Sequence, residues 1–189
     1  MKKSLWAIIA IIAIVLVDQI TKIWILNKFM HILNYAVQPG APFIANKWDI
    51  IPHPMMPSVD ATYYITDFFN IVFTWNPGTA FSFLQKFGEA RPLVITLATG
   101  VIIALISYYL FAHAKNYERW PLILIIGGAL GNLIDRIRFG AVIDFLYFHV
   151  GGWNWPAFNV ADSFITVGVL LYILNWWLAR RRCMRNLKG

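Results

Sequence analysis

Long apolar stretches dominate the chain, and four of them are long enough to cross a bilayer. They lie at about residues 5–26, 92–112, 121–137 and 158–178. A helix rises about 1.5 Å per residue, so about 20 apolar residues cross roughly 30 Å of hydrocarbon. The pattern predicts an integral membrane protein that is mainly α-helical, with a four-transmembrane-helix bundle in a single membrane domain of residues 1–189.

Basic residues flank these stretches unevenly and predict their orientation. Three clusters mark one side: Lys2 and Lys3 before the first stretch, Lys115 and Arg119 between the second and third, and Arg180, Arg181, Arg182, Arg185 and Lys188 after the fourth. Lysine and arginine concentrate on the cytoplasmic side of membrane proteins. We therefore predict that both termini face the cytoplasm.

Composition agrees with a membrane protein. Hydrophobic residues make up 59% of the 189 residues and charged residues 13%, whereas a soluble domain has about 45–50% and about 25%. The net charge of +7 arises from the clusters at the ends of apolar stretches, so it indicates topology and no nucleic-acid partner. A single cysteine, Cys183, excludes an internal disulfide and a cysteine metal cluster.

The first outer segment, residues 27–91, changes character along its length. Its early part, at 31–67, contains five prolines and predicts an irregular loop whose role the sequence leaves open. Residues 68–75 are rich in β-branched and aromatic side chains, and the Asn-Pro-Gly-Thr turn that follows leads into a possible returning strand at 80–83. We expect a β-hairpin here.

The second outer segment, residues 138–157, contains an apolar run at 142–148. This run fits either a further strand or a short interfacial helix. Together the outer segments predict a small extracytoplasmic, antiparallel β-sheet platform at the membrane surface.

Four acidic residues lie in or just beyond the apolar stretches: Asp18, Asp135, Asp144 and Asp162. A charged side chain at such a position costs about 2.5–3.5 kcal/mol on insertion scales. Counted from the basic end of each helix, Asp18, Asp135 and Asp162 lie about 22, 24 and 27 Å from the cytoplasmic side. Carboxylates from three helices thus share one outer layer, which Asn132, Arg136 and Asn159 join by the same count.

Such a layer allows several chemistries. Two adjacent carboxylates share a proton near neutral pH, so one activates water while the other donates, as in aspartic proteases. The same oxygen atoms also suit a hard cation, or a small proton- or cation-coupled transporter. Structural roles compete, because Asp18 can pair with Lys22 and Asp135 with Arg136. A non-catalytic scaffold is the remaining alternative, and no zinc motif or nucleophile elbow occurs.

Five motifs occur in an order that resembles the lipoprotein signal peptidases, also called signal peptidase II. They are Asp18-Gln19-x-x-Lys22, Asn76-x-Gly78-x-Ala80-Phe81-Ser82, Gly127-Gly128-Ala129-x-Gly131-Asn132-x-x-Asp135-Arg136, Val142-x-Asp144-Phe145 and Phe158-Asn159-x-Ala161-Asp162-Ser163. Each motif is weak by itself, but the set covers most of the chain with consistent spacing.

The resemblance implies an aspartic endopeptidase of the bacterial inner membrane with its active site near the periplasmic face. Its substrates would be prolipoproteins, cleaved before a diacylglyceryl-modified cysteine, with no metal or organic cofactor and membrane lipids as further partners. The catalytic pair falls on Asp144 and Asp162. Substrate-binding or site-ordering roles fall on Asp18, Lys22, Asn76, Gly78, Asn132, Asp135, Arg136 and Asn159.

The resemblance also decides points that the residues leave open. Depth alone favours Asp135 over Asp144, and only the family motif selects Asp144. The proline-rich part at 31–67 is longer than the usual first outer loop of the family. We expect a monomer.

Overall fold

The computed structural model describes residues 2–36, 62–78 and 90–186. Its helices are α1 (Lys2–Ala36), α2 (Arg91–Ala112), α3 (Asn116–Phe139) and α4 (Val160–Asn186). Its strands are β1 (Thr62–Tyr64), β2 (Phe69–Asn76), β3 (Val142–Val150) and β4 (Trp153–Asn154). The expected returning strand at 80–83 and most of the proline-rich loop lie outside the described residues.

Among the described residues, three helices are long and apolar enough to cross a membrane: residues 4–29, 91–112 and 160–184. The remaining helix, α3, is the more polar centre of the bundle and packs against α1, α2 and α4. A helix surrounded by protein carries polar groups at lower cost, because those groups find partners instead of lipid. The weaker apolar pattern of residues 121–137 therefore reflects burial.

The buried side of α1 explains how an apolar helix carries charge inward. Buried residues recur every three or four positions, as expected for one helical face. They are Ala7, Ile11, Ile14, Asp18, Lys22, Ile25 and Phe29. The two charged residues thus lie on the stripe that packs into the bundle, while large apolar side chains cover the opposite, exposed side of the helix.

Two glycines of α3 allow its neighbours to approach closely. A Cβ atom at Gly131 would collide with the carboxylate of Asp18, and one at Gly128 would collide with the backbone carbonyl of Ala161. Both collisions occur at the level of the acidic layer. The glycines therefore bring α1 and α4 against α3 where the candidate site lies.

Strand β1 and the continuation of α1 to Ala36 both fall within the expected irregular loop at 31–67, so that expectation is wrong for residues 31–36 and 62–64. The continuation is stabilised by packing against the sheet. Phe29 is fully buried and lies 5.1 Å from the ring of Tyr63 and 5.7 Å from that of Phe73, between ring centroids. Packing of an apolar face against a protein partner supplies most of the stability of a helix.

The four strands form one antiparallel sheet in the order β1-β2-β3-β4. The predicted strand at 68–75 is thereby confirmed as β2, and the run at 142–148 is a strand and not an interfacial helix. The register between β2 and β3 shifts between Ile71 and Thr74. This bulge lies beside the pair of Thr74 and Asp144 and locally changes the twist of the sheet.

Candidate active site

A tight reversal after α3 brings Asp144 back to the end of the bundle. Gly140 caps the helix in the left-handed conformation, with φ of 71°, and its backbone N–H donates to the carbonyl of Arg136 at 2.9 Å. Glycine adopts this conformation without steric cost. The strand that follows starts at once, so the N–H of Ile143 donates to Asp135 Oδ2 at 3.2 Å. Asp144 therefore lies next to the C-terminal end of α3.

Asp162 occupies the first turn of α4 and belongs to its N-terminal cap. The N–H of Asp162 donates to Asn159 Oδ1 at 2.9 Å, and the N–H of Asn159 donates to Asp162 Oδ2 at 3.2 Å. This reciprocal pair is a capping box, with an aspartate at the third helical position. The preceding residue, Phe158, pairs with Leu146 of β3. The start of helix α4 is thus joined to the middle of strand β3.

Asn159 connects the two aspartates directly. Its side-chain Nδ2 donates to Asp144 Oδ1 at 2.7 Å, while its backbone belongs to the cap of Asp162. Two further amides complete the pattern: Asn76 donates to Asp144 Oδ2 at 2.9 Å, and Asn132 donates to Asp162 Oδ1 at 2.7 Å. All four carboxylate oxygens accept a hydrogen bond, which fixes the orientation of both side chains.

The environment of Asp144 favours its protonated form. The side chain is 1% exposed, and burial raises its pKa from 3.8 to about 7, with the negative charge of Asp162 as the second cause. Hydrogen bonds from Asn76 and Asn159 oppose this increase. A carboxyl group with a pKa near neutrality exchanges protons readily, and two coupled carboxylates titrate as a pair.

A buried ion cluster lies beside this pair. The ammonium of Lys22, 1% exposed, contacts Asp18 Oδ2 and Asp135 Oδ2 at 2.9 Å each and donates to Asn132 Oδ1 at 2.9 Å. Its three donors therefore each meet one oxygen atom. The contact of Lys22 with Asp18 is the helical i,i+4 pair that the sequence allowed. Among the described contacts, Asp135 forms its ion pair with Lys22 and not with its neighbour Arg136.

This arrangement bears on the cation alternative. Three oxygen atoms of the acidic layer, from Asp18, Asp135 and Asn132, surround the ammonium group of Lys22. Within the described part of the chain, no three His, Cys, Asp or Glu side chains converge in a way that suits a metal ion. The acidic layer therefore uses a lysine to balance its charge.

Gln19 also belongs to the site, although the sequence indicated it only as part of the first motif. Its Nε2 donates to Asp135 Oδ1 at 3.0 Å, to Asp18 Oδ2 at 3.2 Å and to the carbonyl of Gly131 at 3.2 Å. Gln19 is a polar residue within an apolar stretch, directly after Asp18. This position is the sequence signal that could have identified Gln19 as a site residue.

The remaining predicted residues border the pair. Arg136 is half-buried, and its Nη1 lies 3.5 Å from the backbone carbonyl oxygen of Asn132. Gly78 lies just after β2, with φ of 85°, and its N–H donates to Asn76 Oδ1 at 2.9 Å. This contact turns the amide of Asn76 so that its nitrogen faces Asp144. All ten predicted site residues thus belong to one contiguous region.

Comparison with known proteins shows the family to which the chain belongs. The family model described as signal peptidase (SPase) II matches residues 10–178. The chain belongs to the signal peptidase II family. Membership in this family supports a peptidase, as the five motifs indicated. The transporter alternative finds no support among the similar proteins.

Individual relatives extend along most of the chain. A lipoprotein signal peptidase of Janthinobacterium is 41% identical over 164 residues, which cover 86% of this chain and 82% of the relative. One from Paraburkholderia phymatum is 38% identical over 172 residues, covering 90% and 86%. Both relatives are named for the activity that the sequence motifs predicted.

Two solved structures share the fold. Both are described as bacterial membrane enzymes obtained by the in meso method. The first has a TM-score of 0.64 at 24% identity and covers 90% of this chain and 87% of its own. The second has a TM-score of 0.61 at 25% identity and covers 89% and 90%. Both structures therefore share the overall fold of this chain.

Proposed function

We propose that the protein is an aspartic endopeptidase that removes signal peptides from prolipoproteins, with Asp144 and Asp162 as the catalytic pair. The observation that carries the proposal is the link through Asn159, which donates to Asp144 at 2.7 Å and caps the helix that presents Asp162. No other pair of acids among the described residues is oriented by amides in this way and free of a lysine partner.

The proposed reaction needs one ionised and one protonated carboxyl group. The ionised group takes a proton from water while the water oxygen attacks the scissile carbonyl carbon. The protonated group donates its proton to the carbonyl oxygen. Collapse of the tetrahedral intermediate breaks the C–N bond. The leaving amine receives the proton that the first carboxyl group took from water, and the second carboxylate takes back the proton that it gave to the carbonyl oxygen. The raised pKa of Asp144 supports it as the group that carries the proton before the reaction.

The other site residues divide into two groups in this proposal. Asp18, Lys22, Asn132, Asp135 and Asn159 are buried and order the pair, because their polar groups bind one another. Asn76, Gly78 and Arg136 border the carboxylates, and in this proposal they contact the substrate backbone or the lipid head group. The scissile bond precedes a diacylglyceryl-modified cysteine, whose acyl chains enter the site from the bilayer.

The proposed topology follows from the basic clusters and from the acidic layer. We infer that α3 crosses the membrane together with the three apolar helices, which gives four spans. Both termini then lie in the cytoplasm, and the sheet lies on the outer side of the bacterial inner membrane. Lys115 and Arg119 lie at one end of α3, and Asp135 lies near the other. Arg136 and Arg138 lie at that second end as well, but the basic residues at 2–3, 115–119 and 180–188 together outnumber them, which supports an active site near the periplasmic face. The proposed working unit is a monomer.

The test is cleavage of a diacylglyceryl-modified prolipoprotein by the purified protein in detergent. Wild type is expected to release the signal peptide, whereas Asp144→Asn and Asp162→Asn are each expected to lose at least about 1,000-fold in kcat. Asp67→Asn is the matched control, because Asp67 is an exposed aspartate in the turn between β1 and β2. It is expected to retain full activity.

Thermal unfolding of each variant separates lost chemistry from lost folding. Asparagine at position 162 must direct an amide hydrogen at either Asn132 or the Asn159 N–H, so some loss of stability is expected. An inactive variant that remains folded supports the pair. Full activity in a folded variant at either position would refute it.

A further inference from the structure

The hairpin formed by β3 and β4 has one face made of apolar side chains. Successive strand residues alternate between faces, and directly paired residues share a face. Val150 pairs with Trp153, and the backbone carbonyl of Phe148 accepts a hydrogen bond of 2.9 Å from the backbone N–H of Trp155. The hairpin apolar face therefore consists of Leu146, Phe148, Val150, Trp153, Trp155 and the bridged Phe158.

This hairpin apolar face is largely exposed. Val150 is 64% exposed and Trp153 is 59% exposed, and Phe148 and Trp155 are exposed as well. The rings pack side by side across the face: Trp153 lies 5.3 Å from Trp155 between ring centroids, and Phe148 lies 6.0 Å from Phe158. A contiguous exposed aromatic surface of this kind marks an interaction site.

The opposite face of the same hairpin is polar. It carries Tyr147, His149 and Asn154, and His149 Nε2 lies 2.8 Å from the amide nitrogen of Asn70. The hairpin is therefore amphipathic across its two faces. No Asp, Glu, Lys or Arg occurs from residue 145 to residue 158. The absence of charge fits an apolar partner surface better than a charged one.

The backbone of the hairpin is compatible with such a surface. Its tip is a two-residue turn of Gly151 and Gly152, with φ of 57° and 84°, which matches the tight turn that glycine favours in hairpins. The strands pair through His149 with Asn154 and Val150 with Trp153. Paired backbone groups lower the cost of contact with hydrocarbon.

The base of the hairpin lies at the depth where a span begins. Leu146 and Phe158 pair just before Asn159, and the apolar helix of residues 160–184 follows immediately. Asp144 and the hairpin apolar face also lie on the same side of β3, since residues 144, 146, 148 and 150 alternate in phase. That side faces the outer end of α4, where Asp144 meets Asn159.

We propose that the hairpin apolar face is a membrane anchor that lies in the head-group and upper acyl region of the outer leaflet. Tryptophan and other aromatic residues favour this region. Because β3 carries both Val150 and Asp144, about 20 Å apart at about 3.3 Å per residue, the anchor holds Asp144 at a constant height above the acyl chains. The inference depends on the proposed topology and not on the proposed chemistry.

The test is depth-dependent quenching of a fluorescent label in lipid bilayers without substrate. In a Cys183→Ser background, which removes the single cysteine, an environment-sensitive label is attached at Val150→Cys or at Asn154→Cys. Asn154 is the matched control, because it is exposed and lies on the opposite face of the same hairpin. A spin label on the upper acyl chain is expected to quench the Val150 label about threefold more strongly.

Three outcomes decide the inference. Stronger quenching at Val150 that falls when Trp153→Lys and Trp155→Lys are added supports the anchor. Weak and equal quenching at both positions overturns it. Quenching that is weak at Val150, with a blue shift only after a prolipoprotein is added, also overturns it and assigns the face to substrate. None of these readouts uses cleavage, so failure of the anchor leaves the peptidase proposal intact.

Discussion

The ammonium of Lys22 donates a hydrogen bond of 2.9 Å to the side-chain oxygen of Asn132. A lysine has donors only, so the amide oxygen of Asn132 must face it and the amide nitrogen must face Asp162, at 2.7 Å. Lys22 on α1 thereby directs the amide nitrogen of Asn132, on α3, toward Asp162. The ion cluster and the proposed catalytic pair are one connected hydrogen-bond network.

Replacement of Lys22 by methionine is expected to destabilise the protein strongly. Asp18 and Asp135 would remain buried without their shared cation, and breaking a buried pair costs about 3–5 kcal/mol. The measurement is unfolding in detergent of Lys22→Met beside Lys28→Met. Lys28 lies on the exposed side of α1, over the ring of Tyr63, so its loss is expected to cost less than about 1 kcal/mol. Equal stability of both variants would contradict a structural cluster.

Substitutions at Asn159 are expected to separate its two roles. Asn159→Ala removes the cap of α4 and the donor to Asp144, with a cost of about 1 kcal/mol for the cap. Asn159→Ser restores a capping oxygen, but its short side chain cannot replace the 2.7 Å contact with Asp144. We expect serine to recover stability relative to alanine without recovering activity. If serine restores cleavage to the wild-type rate, the link to Asp144 is unimportant for the reaction.

Activity is expected to decline as the pH rises through about 7, because burial and the charge of Asp162 raise the pKa of Asp144 to about 7. The pair then loses the proton that the proposed reaction requires, and kcat/KM develops an alkaline limb. The measurement is a pH profile of kcat/KM with the prolipoprotein substrate. A profile that stays flat from pH 6 to pH 9 would contradict Asp144 as the proton donor.

Stability provides an independent check of the same group. The folded protein holds a proton at Asp144 that the unfolded chain, with a pKa of 3.8, has already released. The folded state therefore binds more protons between the two pKa values, and this group makes the free energy of unfolding fall as the pH rises from about 4 to about 7. Asp144→Asn is expected to remove that contribution, as measured by unfolding at several pH values.

Alanine at Gly131 is expected to loosen the contact between α1 and α3. The added methyl group would collide with the carboxylate of Asp18, which is held by Lys22 and cannot move freely. Overpacking of this kind costs about 1–3 kcal/mol. Gly100→Ala is the matched control, because a Cβ atom there meets nothing within 4 Å, and alanine in a helix interior gains about 0.5–1 kcal/mol over glycine. Similar unfolding of both variants would contradict the close approach.

The sequence by itself determined the elements whose signals are local. Apolar stretches of sufficient length identified the helices, and a run of β-branched and aromatic residues identified β2. The rise of a helix per residue also sufficed to gather Asp18, Asp135 and Asp162 in one layer, because depth along a helix depends only on residue count. Charge in an apolar stretch is costly, so these acids were visible as candidates before any fold was known.

Only the tertiary structure decided what each acid contacts. Depth favoured Asp135, yet its oxygens are occupied by Lys22, Gln19 and the N–H of Ile143. Asp144 reaches Asn159 because Gly140 reverses the chain. The ordered end of α1 and the strand at 142–148 likewise depend on partners that are distant in sequence. Hydrogen bonds and packing at short range depend on positions in three dimensions, which residue spacing along one helix does not specify.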